Sequence, residues 1–155
     1  MAAATKPGRD RRSWRIVPLS HDTMALLDRV ENEVFDAPIR PDALAAFLDD
    51  SRHVMMLAEA EGRVVGMASG SELLHPDKAP QLFINEVGVA PGWRRRGIAR
   101  ALVAGLVEVA RVRGCDYVWL GTETDNEGGN ACFGSVPGVE NGGTFVLYEW
   151  AFDRN

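Results

Sequence analysis

The sequence predicts a single α/β domain built on a mixed sheet. Three observations predict it. The chain has 155 residues, the size of one ordinary domain. Its 46% hydrophobic and 25% charged residues are the balance of a soluble globular protein, not of a disordered chain or a fibre. Stretches of two-residue apolar period alternate with stretches of helical period in the order βααβββαβ(α)β, without a linker or an internal repeat.

Residues 1–13 are small, polar and basic and lack the apolar core of a secretory signal. They read as a disordered basic tail ahead of a domain over residues 14–155. Trp14–Val17 reads as a short strand ended by Pro18. Ser20 or Asp22 can cap a helix to about Phe35, with Met24, Leu27, Val30 and Val34 at helical spacing and Pro38 as its breaker. Pro41 suits the first turn of a second helix, Asp42–Asp50, with Leu44, Phe47 and Leu48 inward. His53–Ala60 and Arg63–Ser71 read as a hairpin around Glu61-Gly62, and Leu74–Pro80 as a loop.

Gln81–Val89 alternates as a strand should, with Leu82, Ile84 and Glu86 on one face and Phe83, Asn85, Val87 and Val89 on the other. Ala90–Trp93 is a turn. Gly97–Arg113 is the clearest helix, with a stripe of Ile98, Leu102, Leu106 and Val109, closed by Gly114. Tyr117–Thr122 is a further strand. Asp125–Val136 is ambiguous, because Gly128, Gly129 and Gly134 each weaken a helix by about 1 kcal/mol. Thr144–Phe152 reads as a last strand after the turn Asn141-Gly142-Gly143.

Composition excludes several classes of function. No apolar run approaches the roughly 18–20 residues of a membrane span. Cys115 and Cys132 make no disulfide framework, and no Cys/His spacing suggests zinc, so no metal is expected. The formal net charge of −5 hides a split, because residues 1–15 carry +4 and the remainder −9. An acidic domain disfavours nucleic acid as a partner. It suits a cationic substrate, or simple solubility.

The sharpest local signal is Val87-Gly88-Val89-Ala90-Pro91-Gly92-Trp93-Arg94-Arg95-Arg96-Gly97-Ile98-Ala99. A strand ends, a turn follows and a helix begins in an Arg- and Gly-rich loop. The first N–H groups of a helix lack internal partners and carry the positive end of its dipole, which makes an anion site. Arg94, Arg95, Arg96 and Arg100 add charge to it. A Walker loop is excluded, since no Gly-Lys-Ser/Thr follows, and the spacing of Gly88, Gly92 and Gly97 is not that of a dinucleotide fingerprint.

Arg94-x-x-Gly97-x-Ala99, with Val89-x-Pro91 before it and the long amphipathic helix after it, resembles the signature of the GNAT superfamily of acetyl-CoA-dependent N-acetyltransferases. The element order matches over about residues 14–152. The resemblance implies a mostly antiparallel, twisted mixed sheet flanked by helices, with a splayed central strand pair. It implies that the acetyl-CoA pyrophosphate sits on backbone N–H groups over Arg94, Arg95, Arg96, Gly97, Ile98 and Ala99, and that the pantetheine arm pairs with the backbone of Val87 and Val89. Glu86 stands where many of these enzymes carry an acid and would accept the proton of the attacking ammonium, directly or through water. The Val87 N–H would hold the oxyanion. The family's Asn, followed seven residues later by a Tyr that protonates the leaving thiolate, corresponds to Asn126 and Phe133, and a phenyl ring has no proton to give.

The stretch Leu82–Val89 and the following Arg94–Leu102 further resemble the gentamicin-type aminoglycoside 3-N-acetyltransferases. That likeness implies a polycationic aminoglycoside as acceptor, with Glu33, Asp36, Glu86, Glu123, Asp125 and Glu127 as the acids that attract it. Trp119 and Trp150 are candidates to flank its sugar rings, or to be buried. Other amines (a polyamine, a small metabolite, a peptide) and a non-catalytic acyl-CoA-binding module remain open alternatives. A cytoplasmic protein and a homodimer, with Thr144–Phe152 as an available edge, complete the expectation.

Overall fold

The computed structural model describes residues 13–153, so the basic tail expected over residues 1–13 lies, Ser13 apart, outside the described residues. The chain runs β1 (Arg15–Pro18), a 3₁₀ turn (Met24–Asp28), α1 (Pro41–Asp49), β2 (His53–Ala60), β3 (Arg63–Leu73) and β4 (Gln81–Val89). A second 3₁₀ turn (Pro91–Trp93), α2 (Ile98–Val112), β5 (Tyr117–Trp119) and α3 (Glu127–Gly134) follow. The strands form one sheet in the order β1-β2-β3-β4-β5, antiparallel except for the parallel pair β4–β5. This is the single α/β domain with a mixed sheet that the periodicities predict.

Glu61 and Gly62 join β2 to β3 with φ of 54° and 75°, the mirror-image turn whose twist suits a hairpin. Pro41 opens α1, and its Leu44, Phe47 and Leu48 are half-buried, as expected. The core lies between the sheet and α2. Leu57, Val64 and Leu82 of the sheet and Ile98, Leu102 and Leu106 of α2 are fully buried. Each such side chain stabilises the fold by about 1.5–3 kcal/mol. Arg113, just past α2, reaches back to the Ser51 carbonyl at 2.7 Å and the Glu72 carboxylate at 2.8 Å, pinning the helix end to the strands.

Three elements depart from the sequence reading. The expected helix from Ser20 or Asp22 to Phe35 shrinks to one 3₁₀ turn. Its Val30 leaves to bridge Val64, with Val64 N–H on the Arg29 carbonyl at 2.8 Å and Glu31 N–H on the Val64 carbonyl at 2.9 Å. Tertiary pairing thus overrides local helical spacing. The expected strand Tyr117–Thr122 ends at Trp119, because the chain parts from β4 after the Phe83–Trp119 pair. That parting is the splay.

The expected strand Thr144–Phe152 does not form. The segment has no regular structure and is unpaired, with Phe145 against Gly121 and with Val146, Leu147, Tyr148, Trp150 and Phe152 exposed. Aromatic and β-branched residues favour a strand, but a strand also needs a partner backbone, and β5 offers only a three-residue edge.

Candidate active site

The site forms where β4 turns irregular. Gly70 of β3 pairs with Ile84, and the next residue, Ser69, pairs with Glu86, which leaves Asn85 as the extra residue of a β-bulge. A bulge shifts the two-residue alternation by one. Glu86 therefore lies on the face opposite Ile84, not on the same face as the plain alternation requires. Ile84 stays buried while Asn85 and Glu86 are both exposed. Two successive polar residues in an otherwise alternating strand are the sequence signal of that bulge.

The segment around residues 33–36 closes over the same face. Val34 is buried with its backbone carbonyl over Gly88, and Glu33 holds a φ of 65°. This places Glu33 and Asp36 in the wall of a cavity of about 850 Å³ whose floor is the β4 stretch Asn85–Val89.

The opposite wall is the start of α2. Gly97 caps the helix at φ 83°, a left-handed conformation that glycine adopts without strain, and nothing stands within 4 Å of where a Cβ would be. Arg94, Arg95, Gly97, Ile98, Ala99 and Arg100 all line the cavity. Arg94 is braced by its Nε on the Val89 carbonyl at 3.2 Å, and Arg100 by its Nε on the Ser135 carbonyl at 2.9 Å. Arg96 is turned elsewhere. Its guanidinium sits 4.8 Å from the Trp93 ring centre and donates to the Gly92 carbonyl, and it is not among the lining residues. Open helix N–H groups, an uncrowded glycine and three lining arginines fit the diphosphate of acetyl-CoA.

Asn126 caps α3, accepting from the Gly129 N–H at 3.0 Å and donating to Thr122 Oγ1 at 2.8 Å. That cap resolves the ambiguous stretch 125–136 as a helix despite its glycines. Asn126 and Phe133 border the main cavity, and both also border a smaller one of about 170 Å³ in the splay, beside Glu86, Val87, Leu120 and Thr122. Phe133 is therefore at the site, without a hydroxyl. Cys132 lines the main cavity too, and burial pushes its thiol pKa up against the opposing pull of Arg100.

The structure does not bring the three acids of the loop after β5 to this place. Glu123, Asp125 and Glu127 line neither cavity, so of the six candidate acids only Glu33, Asp36 and Glu86 meet. Trp150 is 78% exposed on the unpaired segment, and Trp119 is 37% exposed beside Phe83. Met67, Asn85, Cys132 and Ser135 are lining residues that the sequence reading missed; only Asn85 carried a signal, its place beside Glu86. Among the described residues, no cluster of three or more His, Cys, Asp or Glu is placed to hold a metal, and both cysteines are free thiols. Nor, among them, is any helix long and apolar enough to cross a membrane.

Comparisons with known proteins agree with this architecture. An acetyltransferase of Pectobacterium atrosepticum is 34% identical over 80 residues, covering 52% of this chain and 53% of its own length. The chain spans about half the length of the curated relatives it matches. Among solved structures, the aminoglycoside acetyltransferase AAC(6')-Iy, in complex with a bisubstrate analog of CoA and acetylneamine, superposes with a TM-score of 0.71 at 19% identity, covering 90% of this chain and 99% of that one. An aminoglycoside acetyltransferase from an uncultured soil metagenomic sample, solved with trehalose, gives 0.70 at 18% identity, covering 89% and 97%. At such identities the likeness is one of fold. The profile of the Acetyltransferase (GNAT) family matches residues 21–135, about three quarters of the chain, and the protein belongs to that family.

Proposed function

We propose that this acetyltransferase moves the acetyl group of acetyl-CoA to an amine of a polycationic aminoglycoside, giving resistance to it. One observation carries the reading. A single cavity has an arginine-rich helix start along one wall and Glu33, Asp36 and Glu86 along another. The first suits the diphosphate of the donor, and the second attracts and orients an ammonium.

In this reading Glu86 takes a proton from the ammonium, directly or through water. The freed amine attacks the acetyl carbonyl, and the oxyanion rests on the Val87 N–H. The C–S bond then breaks and the amide forms. The nitrogen's remaining extra proton leaves, and the CoA thiolate takes one from water, since Phe133 has none to supply. Val87 and Val89 would flank the pantetheine arm. A requirement for acetyl-CoA fits a cytoplasmic protein.

The acceptor position is proposed as the 3-amino group, on the resemblance of the β4–α2 stretch. The fold neighbour AAC(6')-Iy makes the 6'-amino group the competing position. Thiol release from acetyl-CoA with gentamicin tests the reading, and NMR of the product fixes the acetylated nitrogen. No release with any aminoglycoside overturns it. Release with spermidine or a peptide amine instead moves the same chemistry to another acceptor. Phe133 favours one further reading, an acyl-CoA-binding module. That reading requires acetyl-CoA binding without turnover across a broad amine panel.

The unpaired segment 144–152 is proposed as the contact between two copies. Its exposed Phe145, Val146, Leu147, Tyr148, Trp150 and Phe152 offer the aromatic and aliphatic surface that a second copy would cover.

A further inference from the structure

The sheet face that carries Glu86 holds a second set of groups that acetyl transfer leaves unused. Strand register aligns His53, Ser71, Phe83 and Trp119 as one row across β2, β3, β4 and β5. At the β5 end the Phe83 and Trp119 rings meet with centres 4.3 Å apart and planes tilted by 34°. In the middle, Ser71 Oγ accepts from Asn85 Nδ2 at 2.9 Å and lies 3.4 Å from His53 Nδ1. At the β2 end, His53 Nε2 lies 3.8 Å from the Asp50 carboxylate, and its ring packs on Phe47 at 5.3 Å.

In either imidazole tautomer of His53 the Ser71 oxygen accepts from Asn85, which commits the amide nitrogen. Among the described residues the Asn85 Oδ1 has no hydrogen-bond donor. It remains a fixed acceptor one residue from Glu86, in the lining of both cavities.

We infer that this row is an acceptor subsite for a ring-bearing amine. A saturated ring lies on the Phe83–Trp119 pair, which stands outside both cavities on the same sheet face, and an ammonium is held by Asn85 Oδ1 beside Glu86. The exposed indole supplies an apolar face and a π-system that attracts cations. Ser71 and His53 are positioning residues, since they act only through the Asn85 amide. A linear polyamine satisfies Asn85 but has no face to lay on the rings. The inference rests on the proposed reaction only in taking Glu86 as the place where the amine arrives.

The test is a titration of the ¹⁵N-labelled full chain with sisomicin and, separately, with spermidine, reading the Asn85 side-chain amide and the Trp119 indole N–H. Asn85→Asp and Trp119→Phe supply the assignments. Sisomicin moves both signals, and spermidine moves the Asn85 signal alone. Asn85→Ala and Trp119→Leu each weaken sisomicin binding about tenfold, and Trp119→Leu leaves acetyl-CoA binding unchanged. Ser71→Ala weakens sisomicin binding, and Ser71→Thr restores it. Should Trp119→Leu fail to fold, Trp119→Phe keeps a ring and retains most of the affinity. Sisomicin binding that leaves both signals unmoved, or that survives Trp119→Leu intact, overturns the subsite even where thiol is released. Sisomicin held on this row, with no thiol release from any aminoglycoside, supports the subsite and overturns the proposed reaction instead.

Discussion

The backbone carbonyl of Val34 lies directly over Gly88, and a Cβ at residue 88 would run into it. This contact brings the 33–36 segment onto β4 and sets two acids in the cavity that Glu86 also lines. Gly88→Ala is therefore expected to push that segment off the strand and to cost about 1–3 kcal/mol, the usual range for overpacking. A denaturant melt measures the loss. An unchanged midpoint would mean that the segment shifts freely and does not shape the site.

Glu86→Gln keeps the shape of the side chain and removes the base. The expected result is a fall in kcat of about 10²–10⁴-fold with acetyl-CoA affinity intact. Steady-state kinetics beside a direct acetyl-CoA titration separates the two. Equal loss of both would assign Glu86 to cofactor binding.

Phe133→Tyr restores a hydroxyl to a ring that already faces both cavities. Turnover is expected to hold or rise, because the thiolate gains a nearby proton. A large loss of kcat in the thiol-release assay would show that the ring is packed for another purpose.

Asp50 accepts from Arg52 through Nε at 3.0 Å and Nη2 at 2.8 Å. The side-chain hydrogen bond, and after it the one from the Arg52 backbone, holds the Asp50 pKa at about 2, below the ordinary 3.8. A depressed carboxyl pKa contributes stability that is complete above the unfolded value and is lost as pH falls through the folded one. The contribution therefore fades between about pH 4 and 2. A carboxyl NMR titration should find the low midpoint in the wild type and the ordinary one in Arg52→Ala.

Sedimentation of the full chain should give a dimer, and Tyr148→Asp with Trp150→Asp a monomer. A wild-type monomer whose 144–152 amides are protected from exchange would show instead that the segment pairs within its own chain.

Much of the site was legible in the sequence because its parts are contiguous. The candidate anion site at the start of α2 needs only a strand, a turn, a glycine and a helix in succession, and those are local features. Phe133 was legible for the same reason, since seven residues of one cap and helix separate it from Asn126. The grouping of acids was not. Glu123, Asp125 and Glu127 cluster along the chain yet line neither cavity, whereas Glu33 and Asp36 reach Glu86 from some fifty residues away. Charge along the chain says which residues are acidic, and the path of the backbone decides which of them share a cavity.

By itself the sequence determined the α/β class, the β2–β3 hairpin, β4, α2 and the glycine-capped, arginine-rich start of that helix. Those follow from period, turn chemistry and capping, which act over a few residues. Tertiary structure alone decided three things. Val30 gives up its helix to bridge Val64, Asn85 bulges so that Glu86 changes face, and residues 144–152 stay unpaired despite a run of aromatic and β-branched residues that suits a strand. Each depends on which backbone stands opposite. Side-chain pattern fixes the faces a segment could present, and only the hydrogen-bonding partner fixes which face is used, or whether any is.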